Sequence, residues 1–352
     1  MGKNKNILLI FLFLIIFLFI FLVNNNKSNK KEISLNNTSD NSKITTLAIN
    51  KEFIGEVKKT LFVPYWSLES GSLTNNYDRV IYFGIEGIEK GINLNEQGYQ
   101  GLSEFNQLNF SSNERYLIIR MINTDENLKI LKNQSSMIRI IEQSVDIAKE
   151  NNFDGIVLDL EVGVLFGDNV KDEISSFSNK FYEISKLSDL KYVIAIYGDV
   201  FYRKRPYDIS QLSKNSDEIM IMAYDFHKSI GEPGPNFPLT GQEKYGYDMK
   251  KLMDDFLKYS KPEKLSVIFG MYGYDWTVDD QDRPIKQANA LSLNEIRSKH
   301  SNDCNSERCE FVDSEGRRHI IWFENEESVK KKIGYLKSRG IGSFAYWANG
   351  YF

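Results

Sequence analysis

The sequence predicts an α/β fold, a barrel of eight parallel strands in which every strand except the last is followed by a helix. Short apolar runs alternate with amphipathic segments along most of the chain, which is the pattern of repeated βα units. One of these runs ends in two carboxylates. The chain has 352 residues, enough for one such (β/α)8 TIM barrel with additional segments.

The first part of the chain does not have the pattern of a folded domain. An uninterrupted apolar run extends from Ile7 to Val23 between lysines, and neither a small-residue cleavage site nor a cysteine follows it. We therefore expect residues 1–23 to be an uncleaved signal anchor that crosses the membrane once. A cleaved signal peptide, which would give a secreted protein, is the alternative. Residues 24–55 are rich in Asn, Lys and Ser and predict a flexible linker, which leaves residues 56–352 for the barrel.

Eight apolar runs are the predicted barrel strands. The last ends a few residues before Phe352, which leaves no room for a full eighth helix, and we expect residues 50–58 or a partner to cover the gap. A long segment between Trp276 and Glu324 exceeds a simple βα loop. It contains a predicted hairpin that would form one wall of a groove above the barrel, made of Glu310–Asp313 and Arg318–Phe323. The predicted strands are Thr60–Pro64, Arg79–Ile85, Tyr116–Met121, Phe153–Glu161, Val193–Tyr197, Glu218–Ala223, Ser266–Met271 and Gly342–Trp347.

The composition argues against several classes of function. The formal net charge is −4 and no long basic run is present, which argues against a nucleic-acid partner. The chain has three histidines and two cysteines, and their spacing does not fit a four-ligand zinc site. We therefore expect no metal and no cofactor. Cys304 and Cys309 bracket a short loop that a disulfide would close in an exported protein, with two free thiols as the alternative.

The strongest functional signal lies in the fourth predicted strand. Successive side chains of a strand point to opposite faces, so Val157, Asp159 and Glu161 share one face. The alternate positions, Ile156, Leu158 and Leu160, form a continuous apolar surface for a helix. Acids are rarely buried without a reason, and barrel folds place their chemistry at the carboxyl ends of the strands. The structural alternative is a solvated strand end followed by an ordinary loop.

This strand, Phe-Asp-Gly-Ile-Val-Leu-Asp-Leu-Glu, resembles the signature of glycoside hydrolase family 18, the chitinase-like enzymes. The usual signature reads Asp-Gly-x-Asp-x-Asp-x-Glu. Asp154, Asp159 and Glu161 match it, whereas Val157 stands where the family often carries another Asp. Further segments resemble the family in the same order, and together they cover roughly residues 58 to 351: Met222-Ala223-Tyr224-Asp225, Phe269 to Trp276, and Gly342 to Trp347.

Within the family, the resemblance is to the bacterial spore cortex-lytic N-acetylglucosaminidases. Four segments carry it: Tyr224-Asp225-x-His227, Gly231 to Pro235, Tyr272 to Trp276, and Trp322-Phe323-Glu324.

The resemblance implies hydrolysis in which the 2-acetamido group of the substrate, rather than a protein side chain, attacks the anomeric carbon. Glu161 would then be the general acid and afterwards the base. Asp159 would orient the acetamide, and Tyr224 would hydrogen-bond its oxygen. Two neighbouring carboxylates push their pKa values apart, which leaves one protonated to act as acid. Because Val157 gives Asp159 no carboxyl partner, we expect Asp159 to be more fully ionised than in relatives.

Further residues are expected to bind the sugar. By resemblance, Trp347 would form the apolar floor of the site and Asp225 would contact the bound sugar. Trp66, Tyr274 and Trp276 follow predicted strand ends and are expected to stack on sugars, with barrel packing as the alternative. Asp275, in the same segment, is also an expected substrate-binding residue. His227 is more consistent with a supporting hydrogen bond than with a catalytic base.

We therefore expect a single-pass membrane protein whose barrel lies outside the cytoplasm. Its expected activity is retaining hydrolysis beside N-acetylglucosamine in peptidoglycan or spore cortex, and its expected partners are that polysaccharide and the membrane. A chitinase or an endo-glycosidase acting on N-glycans is the alternative among enzymes. A catalytically silent carbohydrate-binding barrel is the alternative from a different class of function.

Overall fold

A computed structural model of the chain describes residues 52–70, 76–110, 114–164, 169–300, 304 and 306–352. The predicted signal anchor and most of the predicted linker lie outside the described residues. Within these described ranges, no helix is both long enough and apolar enough to cross a membrane.

Thirteen strands are described, and eight of them close into the predicted parallel barrel. Each barrel strand pairs in parallel with the next, and the final strand returns to pair with the first through Lys58–Leu61 and Ser343–Tyr346. In chain order the strands are β1 (Lys58–Pro64), β2 (Arg79–Ile88), β3 (Gly91–Ile92), β4 (Glu114–Met121), β5 (Gly155–Leu160), β6 (Lys191–Tyr197), β7 (Glu218–Met222), β8 (Leu265–Gly270), β9 (Tyr272–Val278), β10 (Asn289–Ser292), β11 (Arg308–Val312), β12 (Arg318–Phe323) and β13 (Ser343–Trp347). The barrel strands are β1, β2, β4 to β8 and β13.

Helices occupy most of the connections between the barrel strands. Two short 3-10 helices are present at Tyr65–Ser70 and Pro262–Lys264. The α-helices are α1 (Gln97–Gln100), α2 (Leu102–Gln107), α3 (Thr124–Leu131), α4 (Gln134–Glu150), α5 (Val170–Leu187), α6 (Ile209–Lys214), α7 (Gln242–Tyr245), α8 (Met249–Phe256), α9 (Leu293–His300) and α10 (Glu326–Ser338).

The side chains of β5 alternate between two faces of the strand, as the sequence predicts. Val157 is fully buried inside the barrel among inward-facing apolar residues of neighbouring strands. Ile156, Leu158 and Leu160 lie on the other face, in the core between the strands and the outer helices. The residues beyond Val157 on the inner face, Asp159 and Glu161, are therefore directed to the mouth of the barrel at the carboxyl end of β5.

The end of the barrel beside β13 is covered by the segment that precedes β1. No helix follows β13 in residues 348–352. Instead, the Phe53 N–H donates to the Lys337 carbonyl (2.8 Å), and the Lys58 N–H donates to the Gly342 carbonyl (2.9 Å). A Cβ atom at Gly342 would lie 2.3 Å from the ring of Phe53, so this close approach requires glycine.

The predicted hairpin is present but belongs to a larger sheet. β11 and β12 pair antiparallel as predicted, and β12 also pairs with β9, which in turn pairs with β10. Only one residue separates barrel strand β8 from β9. The sequence pattern therefore predicted a single strand in this region, whereas the structure has two consecutive strands. Cys304 and Cys309 form a disulfide between the segment after α9 and β11.

A buried ion pair lies at the amino-terminal ends of the barrel strands, at the end of the barrel away from Asp159. The Arg79 guanidinium at the start of β2 is fully buried and binds Glu218 at the start of β7 through two bonds of 2.7 and 2.9 Å. It also donates to the Thr60 hydroxyl (3.0 Å). The pair holds the pKa of Glu218 at about 2.

Replacing Arg79 with Met is expected to lower the free energy of unfolding by about 3–5 kcal/mol, because it leaves the Glu218 carboxylate buried without its partner. Urea unfolding at neutral pH measures this loss. Since the pKa of Glu218 is lower in the folded chain than in the unfolded chain, its stabilisation is present above about pH 4.3 and is lost as the pH falls towards about 2. Lys331→Met in the exposed pair with Glu327 is the control and should leave the midpoint unchanged. An equally stable Arg79→Met variant would contradict this prediction.

Candidate active site

The inward-facing side chains at the carboxyl ends of the barrel strands form a cluster of acids and aromatic rings. Asp159 and Glu161 come from the end of β5, Tyr197 from β6, and Tyr224 from the residues after β7. Trp347 ends β13 and packs on the same inner cluster. Segments that are far apart in sequence thus bring their side chains to one mouth of the barrel.

Glu161 is partly buried and is held by a hydroxyl group. The Tyr197 hydroxyl donates to its Oε2 atom at 2.5 Å, and the side-chain amide of Asn127 donates to its backbone carbonyl at 2.7 Å. Burial raises the pKa of Glu161. The Tyr197 bond and the nearby Lys228 charge oppose this rise, and the Asp225 charge adds to it. The net increase favours a protonated carboxyl, the state that a proton donor requires.

Asp159 is buried more deeply, with 4% of its surface exposed. Burial, followed by the charge of Glu161, raises its pKa well above the ordinary value, and the Arg120 charge on β4 opposes this rise. Its Oδ1 atom has no hydrogen-bond partner among the described residues. The raised pKa favours the neutral form of Asp159 in this structure, whereas the expectation that Asp159 is more fully ionised than in relatives stays a prediction. Replacing an acid by Val157 removes one negative neighbour, but the cost of burying a charge remains.

Tyr224 lies close to both carboxyl groups. Burial raises the pKa of Tyr224 well above its ordinary value, and the charges of Asp159 and Glu161 raise it further. The phenol therefore keeps its proton and remains a hydrogen-bond donor that faces the acids.

Asp225 is fixed by its neighbours and by an unusual backbone conformation. Its φ is 55°, in the left-handed region, and its N–H donates to the Asn236 side chain at 2.7 Å. Its Oδ1 atom accepts the hydroxyl of Tyr274 at 2.8 Å and also that of Tyr272. The two phenols belong to β9, so the inserted sheet positions Asp225 beside the barrel mouth.

An aromatic surface lies next to the acids. The Trp347 ring packs against Phe83 with a centroid distance of 4.6 Å and against Phe62 at 5.7 Å. Trp66 lies edge-on to Trp347 at 6.2 Å and is 49% exposed. Such an exposed, rigid aromatic surface fits the apolar face of a sugar ring.

A cavity of about 340 Å³ opens between Trp347 and the inserted sheet. Tyr272, Tyr274 and Tyr351 supply aromatic walls, and Glu295 supplies a carboxylate. The cavity adjoins the Trp347 face and does not include Asp159 or Glu161, so it extends the site sideways along β9 and β10.

Two of the predicted binding residues lie elsewhere. Trp276 is fully buried, and its indole N–H donates to the Gly231 carbonyl (2.9 Å). Asp275 is buried on the opposite face of β9 and lies 2.8 Å from His319 Nδ1. Because the side chains of a strand alternate, Asp275 points away from Tyr272 and Tyr274, whereas Trp276 shares their face but is buried further along β9. The Nδ1–H of His227 donates to the Pro235 carbonyl at 2.8 Å, in line with a supporting role.

The sequence patterns did not identify three residues of the cluster: Tyr197, Arg120 and Tyr272. Tyr197 and Arg120 are polar residues at the carboxyl ends of predicted apolar strands, the same signal that identified the two acids. Tyr272 could not be recognised in this way, since its role depends on the pairing of β9 in the inserted sheet. The described ranges contain no group of three or more His, Cys, Asp or Glu side chains that could hold a metal ion.

The chain matches the family model of the glycosyl hydrolases family 18 over residues 33–351. An uncharacterized glycosylase of Bacillus subtilis, YvbX, is 24% identical to it over 63% of this chain and 64% of its own length. The chain thus spans less than two thirds of that relative.

Two solved structures share the fold. The spore cortex-lytic enzyme SleL of Bacillus cereus superposes with a TM-score of 0.68, 16% identity, and coverage of 86% of this chain and 72% of SleL. A family 18 chitinase of Cycas revoluta in complex with (GlcNAc)3 superposes with a TM-score of 0.69, 20% identity, and coverage of 83% of this chain and 95% of the chitinase.

Proposed function

Since the chain belongs to glycosyl hydrolase family 18, we propose that it hydrolyses glycosidic bonds beside N-acetylglucosamine, with peptidoglycan of the spore cortex or cell wall as its polysaccharide. One observation carries this proposal. Two carboxyl groups with raised pKa values, Glu161 and Asp159, lie together at the barrel mouth beside the aromatic surface of Trp347. The names of the similar structures, a spore cortex-lytic enzyme and a chitinase bound to (GlcNAc)3, support the same substrate class.

The proposed reaction has two steps at the anomeric carbon. In the first, Glu161 gives its proton to the glycosidic oxygen while the acetamide oxygen of the same sugar attacks the anomeric carbon, which forms an oxazolinium ion and releases the rest of the chain. In the second, the Glu161 carboxylate takes a proton from water, and the water oxygen opens the oxazolinium ring. Two displacements at one carbon retain its configuration.

The other side chains act on the acetamide and on the sugar ring. Ionised Asp159 would accept the acetamide N–H and balance the positive charge of the oxazolinium ion. Tyr224, which keeps its proton, would donate to the acetamide oxygen. Trp347 and Trp66 would stack on sugar rings, and Asp225 would bind a hydroxyl group, with Tyr274 holding Asp225 in place.

We also propose that residues 1–23 anchor the protein in the membrane with the barrel outside the cytoplasm. The apolar run from Ile7 to Val23 supports an anchor. The Cys304–Cys309 disulfide supports an oxidising location, and a wall polysaccharide is reached only from that side.

Mass spectrometry of the products tests the activity. Purified cortex peptidoglycan, vegetative peptidoglycan and chitooligosaccharides are each incubated with the full-length protein. We expect soluble fragments whose new reducing end is N-acetylglucosamine. If no polymer is cleaved but one of them still binds, the carbohydrate-binding barrel replaces the hydrolase.

Replacing Tyr197 with Phe is expected to move the alkaline limb of the kcat/KM profile to higher pH. The Tyr197 hydroxyl stabilises the charged form of Glu161 and so lowers its pKa. Without this bond, the pKa of Glu161 rises, and the proton donor survives to higher pH. A pH series with an aryl chitooligosaccharide measures the shift. Tyr202→Phe, a change at an exposed phenol, is the matched control, and an unmoved or acid-shifted limb in Tyr197→Phe would refute the assignment.

A further inference from the structure

Arg120 is a buried cation inside the barrel, next to Asp159. Tyr116 and Ile118 of β4 face the barrel interior, and Arg120 follows them on the same face because strand side chains alternate. In the parallel pairing of β4 with β5, Arg120 lies directly opposite Asp159. Only 8% of its surface is exposed.

The Arg120 guanidinium has an acidic partner at one nitrogen atom, whereas another of its nitrogen atoms has no hydrogen-bond partner among the described residues. Its Nη2 atom lies 2.8 Å from a carboxylate oxygen of Glu96, and its guanidinium lies 5.5 Å from the ring centroid of Phe83 and 5.7 Å from that of Tyr65. Its buried Nε atom has no hydrogen-bond partner among the described residues, and neither has Oδ1 of Asp159. A buried donor and a buried acceptor on paired residues are thus both left unsatisfied, at a cost that a shared bond would remove.

We propose that Arg120 is a positioning residue that sets the ionisation of Asp159, and that Glu96 competes with Asp159 for its charge. The role of Asp159 rests on the proposed function. In the resting site, Glu96 takes most of the Arg120 charge and Asp159 is neutral. When positive charge develops on the substrate, Asp159 releases its proton to water, and Arg120 holds the resulting carboxylate in the orientation that faces the sugar.

The substitution at position 157 makes this role necessary. Val157 places an apolar side chain on the inner face of β5, so no second acid at this position can exchange a proton with Asp159. Arg120 is the positive group that lowers the Asp159 pKa. Arg120 on β4 therefore controls the ionisation of Asp159 in place of a second acid on β5.

Other charged and titratable groups face these two residues. Glu161, Tyr207 and Tyr224 interact with Asp159 from β5, the loop after β6 and the end of β7. Glu86 on β2 lies opposite Arg120 in the strand pairing, and Tyr65 interacts with both Arg120 and Glu96. None of these five groups is a cation, so removing Arg120 removes a positive charge that acts on Asp159.

The test compares two neutralising substitutions that have opposite expected signs. Carbon-13 NMR of the Asp159 carboxyl, assigned from its loss in Asp159→Asn, gives the apparent pKa in the full-length protein. Arg120→Gln removes the positive charge and should raise this pKa by about 1 unit or more. Glu96→Gln frees the Arg120 charge and should lower it. Arg120→Lys keeps the charge, should shift the pKa less, and carries the test with Glu96→Gln if Arg120→Gln does not fold.

Arg115→Gln is the matched control, because Arg115 is on the same strand but binds Asn106 at 2.6 Å, and it should leave the pKa unchanged. In the kcat/KM profile, the acid limb should move to higher pH in Arg120→Gln and to lower pH in Glu96→Gln. Equal or absent shifts of the Asp159 pKa in the two variants would overturn the proposal. If the two variants shift the Asp159 pKa in opposite directions but the protein cleaves no polymer, the control of Asp159 by Arg120 stands and only the proposed hydrolase activity is refuted.

Discussion

Replacing Glu161 with Gln is expected to reduce the release of reducing ends by about 10²–10⁴-fold, the contribution of one positioned acid–base group. Gln has nearly the same shape and still accepts the bond from Tyr197, but its amide cannot protonate the glycosidic oxygen. The change removes the group that acts in both steps of the proposed reaction. Reducing-end release from peptidoglycan and chitooligosaccharides measures the loss.

Binding distinguishes a lost proton donor from a damaged site. Calorimetric titration with a chitooligosaccharide should give a dissociation constant for Glu161→Gln within a few-fold of the unmodified protein, since uniform binding does not require the proton. Glu150→Gln, at an exposed position near the end of α4, is the matched control and should keep full activity. If Glu161→Gln retained its activity, another residue would have to be the acid.

Replacing Asp159 with Asn is expected to separate stability from activity. Activity should fall on the order of 10²-fold or more, the scale of removing one preorganised electrostatic contact, because Asn cannot balance the charge of the oxazolinium ion. The fold, in contrast, should gain stability. The pKa of Asp159 is higher in the folded chain than in the unfolded chain, so its ionisation destabilises the fold as the pH rises between these two values. Asn does not ionise and avoids this cost.

Urea unfolding at a series of pH values tests this separation. The midpoint of Asp159→Asn should exceed that of the unmodified protein at neutral pH, and the difference should shrink as the pH falls towards the ordinary range of a carboxyl group. Asp146→Asn on α4 is the control and should show no such dependence. A variant that is inactive and also less stable at every pH would indicate that Asp159 is mainly a structural residue.

The barrel and its acidic strand could be predicted because they depend on local patterns. The alternation around Asp159 defines which side chains point inward whatever the rest of the chain does. Apolar runs mark each barrel strand in the same way. The family signature then supplied the roles of Glu161 and Tyr224, which the residues alone did not.

The remaining features depend on pairing between distant segments. Trp276 and Asp275 were expected at the site because they follow a barrel strand, but β12, some forty residues later in the sequence, pairs with them and makes them part of a second sheet. The neighbour relation of Arg120 and Asp159 requires the register of β4 on β5, which neither strand specifies alone. The raised pKa of Asp159 depends on its depth in the barrel, which a pattern of residues does not give.

The configuration of the first product tests the central claim most directly, namely that hydrolysis proceeds by two displacements at the anomeric carbon and not by a single attack of water. Proton NMR of a β-linked chitooligosaccharide, recorded as the full-length protein is added, resolves the anomer formed before mutarotation. We predict the β-anomer as the initial product, since two displacements retain configuration. An initial α-anomer would mean that water attacks in a single step, which contradicts the proposed roles of Asp159 and Glu161.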